Sequence, residues 1–322
     1  MSDPLQAALH AAFPDRPVES VEERDTRPGN RTARVAFADG DVVYLKTATD
    51  GTRRLVREAA ATRCADARCP IETPAVVAAD PDGDPPYLAM EPIPGIPLQD
   101  PWSSADTAER ARLLREVGET VAAVHEAAFE QPGRILGGDE GGLDLAAESW
   151  SETLAADVEE RTEDLFAARF RELPGRLAAV LRDAAPLLDD APAALLHCDL
   201  NRSNCRLDPR GLLDWERALV GDPGLDLADA ESHLVELPDA DEAERSVLRN
   251  GLREGYRAYA DALPDGFEHR EPVYRAVAFL LTPQTFELWA PAADQPTEEL
   301  ADWVRGEFDE RLDAAREAAH SA

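Results

Sequence analysis

His197-Cys198-Asp199-Leu200-Asn201-Arg202-Ser203-Asn204-Cys205-Arg206-Leu207-Asp208-Pro209-Arg210-Gly211-Leu212-Leu213-Asp214-Trp215-Glu216 is the stretch from which the rest of the chain is read. Asp199 and Asn204 lie five residues apart in a polar loop, and Asp214 ends the apolar strand Gly211-Leu212-Leu213. Asp208-Pro209-Arg210-Gly211 makes a plausible tight turn between them, so a short hairpin lets the three side chains converge. Convergent carboxylate and amide oxygens suit a hard divalent cation and phosphate. The plainer alternative is one more acidic turn between two strands, in a chain that has many.

Phosphoryl transfer to a hydroxyl needs one carboxylate to orient the hydroxyl and accept its proton, and oxygen ligands that hold magnesium against a triphosphate. Asp199 fits the first task, Asn204 and Asp214 the second. A second indication comes from composition. Of 33 basic residues only Lys46 is a lysine, and it follows the strand-like run Asp41-Val42-Val43-Tyr44-Leu45. A chain that uses arginine everywhere else has kept a compact ammonium here, where a planar guanidinium would reach less easily between phosphate oxygens. Glu58 stands in Arg53-Arg54-Leu55-Val56-Arg57-Glu58-Ala59-Ala60-Ala61, a run of good helix formers that lets Leu55 pack inward and Glu58 face a cleft. Upstream, Gly29-Asn30 precedes the strand Ala33 to Phe37, and Asp39-Gly40 turns it into the lysine strand. A glycine at such a turn admits backbone N–H groups to phosphate oxygens, although an ordinary hairpin would look the same.

The run His197, Asp199, Asn204, Asp214-Trp215 resembles the catalytic loop and metal-binding strand of the aminoglycoside phosphotransferase family of kinase-like enzymes. Gly221-Asp222-Pro223-Gly224-Leu225-Asp226-Leu227-Ala228 is similar to that family's G-D-P-x-x-D-L-A, which leads into a helix. Two departures stand out: Cys198 replaces the usual glycine, and the hairpin between Asn204 and Asp214 is shorter than usual. The resemblance covers about residues 18 to 230. It implies an α+β, two-lobed protein-kinase-like fold, with a small antiparallel sheet and one helix in the first lobe and a larger, mainly helical second lobe. It implies ATP or another nucleoside triphosphate with Mg2+ as cofactors, and a small-molecule hydroxyl acceptor such as an aminoglycoside, sugar or amino alcohol. Lys46 would hold the phosphates and be held by Glu58; Asn204 and Asp214 would hold magnesium; Asp199 would orient the acceptor hydroxyl. Gly29-Asn30 would form the phosphate turn, and backbone groups of Met90, Glu91 and Ile93 would meet the base, with Pro92 lacking a donor. His197 would support the loop through its ring, and Asp226 would support His197 or cap a helix. The chain lacks the H-R-D, D-F-G and A-P-E runs of protein kinases, which argues against a protein substrate.

Domain organisation follows: residues 1–91 as the nucleotide lobe, 92–97 as a stiff Pro-rich hinge, and 98–322 as the catalytic and acceptor-binding lobe. Periodicity predicts helices over Ala105 to Ala128, Trp150 to Phe170, Leu173 to Leu188, Ala240 to Ala262, Pro272 to Trp289 and Thr297 to Ala319. His125, on an apolar helix face, reads as structural. The four cysteines form neither a disulfide framework nor a zinc pattern.

Acidic residues outnumber basic ones 65 to 33, giving a formal net charge of −32 spread along the whole chain. This reads as adaptation to molar salt, in which counterions screen the self-repulsion of the compact state. A nucleic-acid or anionic-membrane partner is correspondingly disfavoured. With no long apolar run and no basic leader before Arg16, the expected location is the cytoplasm. The competing reading is a kinase-shaped nucleotide-binding protein without turnover. Cys198 and the imperfect glycine turn are what favour it.

Overall fold

The computed structural model describes residues 3–24, 30–48, 51–139, 142–164, 168–237 and 240–321. The α+β class and the antiparallel sheet are as the sequence predicts, and the described chain divides into two compact units, residues 1–105, 135–145 and 201–218 in one and the remainder in the other.

In the first unit five strands form an antiparallel sheet: β1 (Val18–Arg24), β2 (Asn30–Phe37), β3 (Val42–Ala48), β4 (Val76–Asp80) and β5 (Tyr87–Met90), in the order β1-β2-β3-β5-β4. The alternation of β3 explains the sheet. Val43 and Leu45 are buried on one face, while Tyr44 and Lys46 project from the other. The β2–β3 register pairs Lys46 with Thr32, and the β3–β5 register pairs it with Leu88, which places the lysine mid-sheet. Behind Val43 and Leu45 packs a helix that the sequence reading did not anticipate, α1 (Pro4–Ala12), through Leu5, Ala8 and Leu9. Its start has a plain local cause: Asp3 caps it by accepting from the Leu5 amide at 3.0 Å, and Pro4 opens its first turn. The opposite face takes α2 (Arg53–Arg68), whose Leu55 and Ala59 join Leu88 and Met90 in a second core.

The hairpin of the opening stretch is present as strands Cys205–Leu207 and Gly211–Leu212. The segment read as a linker adds a third strand, since Ile96–Pro97 pairs with Arg206 and Leu207. Gly95 has φ +94°, and a Cβ there would fall 2.6 Å from the Pro209 carbonyl oxygen, so only glycine lets this segment lie against the hairpin turn.

The second unit is mainly helical: α3 (Thr107–Val124), α4 (Trp150–Asp164), α5 (Leu173–Asp183), α6 (Gly224–Leu234), α7 (Glu242–Ala260), α8 (Phe267–Phe279) and α9 (Thr297–His320). Four expected helices differ. The first stops at Val124, so that Ala128–Phe129 can pair with strand Ala193–Leu196; the second is described as Trp150–Asp164 with a separate 3-10 turn at Ala168–Phe170; the third divides into Leu173–Asp183 and Ala185–Leu188; and the expected Pro272 to Trp289 helix starts earlier and breaks into Phe267–Phe279, Leu281–Gln284 and Phe286–Trp289. The strands Gly133–Asp139 and Gly142–Ala147, which fall mostly in the first unit, were not anticipated either. Small residues set the α3–α7 crossing: a Cβ on Gly255 would lie 1.9 Å from the Arg115 carbonyl oxygen and one on Gly118 2.1 Å from that of Leu252. Strand Ala193–Leu196 also pairs with Leu219–Gly221, so the loop beginning at His197 and the turn leading into α6 leave the same small sheet. Among the described residues no helix is long and apolar enough to cross a membrane.

Candidate active site

In the first unit Lys46 Nζ lies 2.5 Å from Glu58 Oε1 and 2.8 Å from Asp214 Oδ1. Three elements bring these groups together: β3 supplies the lysine, α2 the glutamate, and the strand end after Leu213 the aspartate. Glu58 is 1% exposed and Asp214 30%. Asp214 sits in the left-handed region at φ +71°, a conformation costly for a residue with a Cβ. Asn204 is buried, and its carbonyl accepts from the Leu213 amide at 3.1 Å, which sets it beside the strand that ends in Asp214.

The structure adds a residue that the sequence reading missed. Glu216 follows Asp214 by two in a tight turn that drives Trp215 into the core, and carboxylate oxygens of Glu58, Asp214 and Glu216 all lie within 4.8 Å of one another. The D-W-E spacing was the available clue.

Electrostatics show what this cluster lacks. Burial pulls the Lys46 ammonium toward its neutral form, but Asp214, Glu58 and Glu216 outweigh it and raise its pKa above the ordinary lysine value. Burial pushes Glu58 up to about 7, with Asp214 and Glu216 adding to the rise and Lys46 opposing it. Three carboxylates round one ammonium leave surplus negative charge, the chemistry of a donor set for a hard divalent cation. The cluster opens on a cavity of about 690 Å3 whose walls include Tyr44, Met90 and Ile93. The Glu91 amide donates to the Ala75 carbonyl at 2.9 Å, so that N–H is already committed within the sheet. Asn30 opens β2. Gly29 lies outside the described residues, as does the Asn30 side chain.

The second unit carries the other candidates. Asp199 is 1% exposed, and its backbone amide donates to His197 Nδ1 at 3.3 Å, so the imidazole braces the loop from within. Asp226, in the first turn of α6, accepts the backbone amides of His197 and Cys198 at 2.8 Å each. It grips the loop backbone, and the cap position of α6 belongs to Pro223. The ring facing Asp226 is that of His125, with Nε2 at 3.3 Å and Nδ1 2.9 Å from the Tyr256 hydroxyl. Burial, then Asp226 and Asp222, raise the Tyr256 pKa above the phenol range, so the hydroxyl stays protonated. Cys198 adopts φ +58°, the left-handed conformation in which a glycine costs nothing. One helical turn beyond Asp226, Asp229 accepts the Leu200 amide at 2.8 Å. Asp229 too was missed; its spacing of three from Asp226 in the D-L-A-D run was the sign that both face one loop.

Comparison with known proteins agrees with this geometry. Residues 27–262 match the model of a family described as "Phosphotransferase enzyme family". Viomycin phosphotransferase of Streptomyces vinaceus is 32% identical over 157 residues, 45% of this chain and 49% of that protein, so the match spans about half of each. Among solved structures, a fructosamine-3-kinase candidate from Thermobifida fusca YX-ER1 superposes with a TM-score of 0.61 at 21% identity, covering 98% of both chains. The streptomycin–ATP–APH(2")-IIa ternary complex superposes with a TM-score of 0.57 at 13% identity, covering 97% of this chain and 98% of that one. At these identities the two structures speak for the fold alone.

Proposed function

This chain belongs to the phosphotransferase enzyme family, and on that premise we propose that it moves the γ-phosphate of ATP, or of another nucleoside triphosphate, to a hydroxyl of a small molecule. The observation that carries the proposal is the chain's only lysine, held between Glu58 and Asp214 at the wall of a cavity large enough for a nucleotide. In this reading residues 1–91 serve the nucleotide, 92–97 act as the hinge, and 98–322 provide catalysis and the acceptor site, with the hairpin of Asn204 and Asp214 working beside Lys46.

Lys46 meets the phosphates, and Glu58 keeps its ammonium aimed. Asp214 and Asn204 would hold magnesium, with Glu216 as a further ligand. The ion supplies charge neutralisation for the triphosphate when bound. The base lies against Met90, and since the Glu91 N–H is committed to Ala75, the Glu91 carbonyl and the Ile93 amide are the groups assigned to it. The phosphate turn falls to Gly29 and Asn30. Asp199 orients the acceptor hydroxyl and takes its proton as the new O–P bond forms and the bond between the γ-phosphorus and the β,γ-bridging oxygen breaks, releasing the nucleoside diphosphate. His197 and Asp226 position Asp199 through the loop backbone. Cys198 takes the backbone conformation that glycine would take, so the loop keeps a glycine-like course with cysteine in that place.

The test is transfer of labelled phosphate from ATP in molar KCl to a panel of hydroxylated amines, sugars and amino acids. Asp199→Asn is expected to lower turnover by about 10²- to 10⁴-fold with ATP binding retained. Lys46→Met and Asp214→Ala are expected to abolish transfer without unfolding. Unchanged turnover in any of the three, or absence of ATP binding by the parent protein, defeats the assignment.

A further inference from the structure

A second cavity, of about 730 Å3, lies wholly in the helical unit and has His233, Trp289, Trp303, Leu281, Leu300 and Glu236 among its walls. His233 locates it chemically. The imidazole lies in the last turn of α6, with Nε2 3.9 Å from Asp199 Oδ1 and 3.5 Å from Asp229 Oδ1. A molecule seated in the cavity therefore has, one side chain away, the carboxylate assigned to proton removal.

The walls select a kind of molecule. Trp289 and Trp303 stand edge to face, with ring centroids 6.4 Å apart and planes at 86°, forming a rigid corner. The Trp289 ring is fixed by its Nε1–H donating to the Thr282 carbonyl at 2.9 Å and by Phe286 at 5.0 Å; the Trp303 ring is braced by Phe279 at 6.3 Å. Yet Trp303 is 49% exposed, a large apolar face left in water by a chain whose surface is otherwise strongly charged. Among the described residues, the two acids lining the cavity offer little to a polycation. Glu236 already pairs with Arg275, and with Arg249 and Arg311 at 3.5 Å each, while Glu299 stands exposed at the rim. An ammonium brought there would compete with three guanidinium groups or meet a solvated carboxylate.

We propose that this cavity is the acceptor site, and that it takes a hydroxylated molecule with a flat apolar body, aromatic or heterocyclic, in preference to a polycationic aminosugar. The proposal rests on the phosphotransferase reading above. The flat body stacks in the indole corner against Leu281 and Leu300, and the hydroxyl points past His233 to Asp199.

The test uses the full-length protein in molar KCl with two probes, phenyl β-D-glucoside and kanamycin, followed by saturation-transfer NMR and indole fluorescence; ATP binding is measured in parallel. Phenyl glucoside is expected to bind with its ring protons saturated and the indole emission shifted. Trp303→Ala should weaken that binding by about tenfold or more, Trp303→Phe should recover part of it, and all three proteins should bind ATP alike. Ala293→Trp, which fills the cavity from a half-buried wall position, should remove phenyl glucoside binding with both indoles intact. Preferred binding of kanamycin, no binding of phenyl glucoside, or binding indifferent to Trp303→Ala and Ala293→Trp overturns the proposal. Loss of ATP binding in the parent protein instead strikes the phosphotransferase reading, so the two failures are told apart.

Discussion

Asp226→Asn is the substitution that most sharply tests how this chain holds the loop to which catalysis is assigned. The carboxylate accepts two backbone amides, those of His197 and Cys198, at 2.8 Å each, from a fully buried position, and it faces His125 Nε2 at 3.3 Å. Asparagine keeps the volume but offers only one accepting oxygen, so one amide must face an NH2 group. A buried donor left without an acceptor costs about 1–3 kcal/mol, and exchanging the remaining charged acceptor for a neutral one removes roughly a further 1 kcal/mol. The loop is also strained, because Cys198 sits at φ +58°, a conformation that costs a residue with a Cβ about 1–2 kcal/mol and persists only while its surroundings enforce it. We therefore expect a loss of about 2–4 kcal/mol in stability, a drop in Tm of roughly 3–6 °C. Turnover should fall with it, because Asp199 hangs from the loaded segment, while the KM for nucleotide should hold, because Lys46, Glu58 and Asp214 belong to the other compact unit. Thermal and denaturant unfolding in molar KCl measure the first part, steady-state kinetics the second. A variant within about 0.5 kcal/mol of the parent and with unchanged kcat would show that the two amides do not depend on Asp226, and the account of the loop would be wrong.

Three further outcomes follow from the same structure. Glu58, ordinarily near 4.5, is raised to about 7 by burial and by Asp214 and Glu216, so between those pH values the folded state holds a proton that the unfolded state has released. Stability from this group is therefore present below pH 4.5 and is lost as pH rises through 7; Glu58→Gln should flatten that part of the Tm–pH curve, and an unchanged slope would contradict the assignment. Cys198→Gly should remain active with a Tm close to the parent, relief of the left-handed strain offsetting the greater chain entropy of glycine, whereas Cys198→Val should lose turnover; equal activity of the two would mean that the loop does not hold φ +58°. The net charge of −32 predicts a Tm that climbs between dilute buffer and about 2 M KCl, and a flat response would remove the case for salt adaptation.

The parts of the fold visible in the sequence are those with a local cause. The β3 alternation, the Asp39-Gly40 turn and the long amphipathic helices Glu242–Ala260 and Thr297–His320 announce themselves in periodicity and turn chemistry, and each appears close to its expected bounds. Helix α1 escaped because its apolar face is only Leu5, Ala8 and Leu9, too short a pattern to separate from a tail until Val35 and Phe37 are there to receive it. The break of the expected Pro272 to Trp289 helix escaped for a related reason: its pieces are set by what they pack against, as when Thr285 bonds the Leu281 carbonyl and Trp289 reaches back to Thr282. In the candidate site, residues whose type is itself unusual, such as the lone lysine and the polar H-x-D loop, were legible. Glu216 and Asp229 were not, since a glutamate among so many acidic residues carries no mark of its own until a turn or a helix aims it.

That difference bears on how a chain this acidic can build a specific site at all. With 65 carboxylates available, negative charge distinguishes nothing, and a site must be defined by what opposes or orients the charge. Round Lys46 the definition is a single half-buried ammonium that three carboxylates share, and the surplus negative charge is what the proposed magnesium would neutralise. Round Asp199 it is geometric: Asp226 spends both oxygens on the amides of His197 and Cys198, and Asp229 spends one on that of Leu200, so these carboxylates are turned to holding the loop that carries Asp199. Round Trp303 it is the engagement of charge, Glu236 being occupied by arginines, that leaves an apolar corner on an acidic protein. A substitution that adds a carboxylate at the surface should therefore leave each site intact, whereas one that frees a carboxylate already engaged, as removing Arg275 beside Glu236 would, changes the site's chemistry without touching the reacting groups.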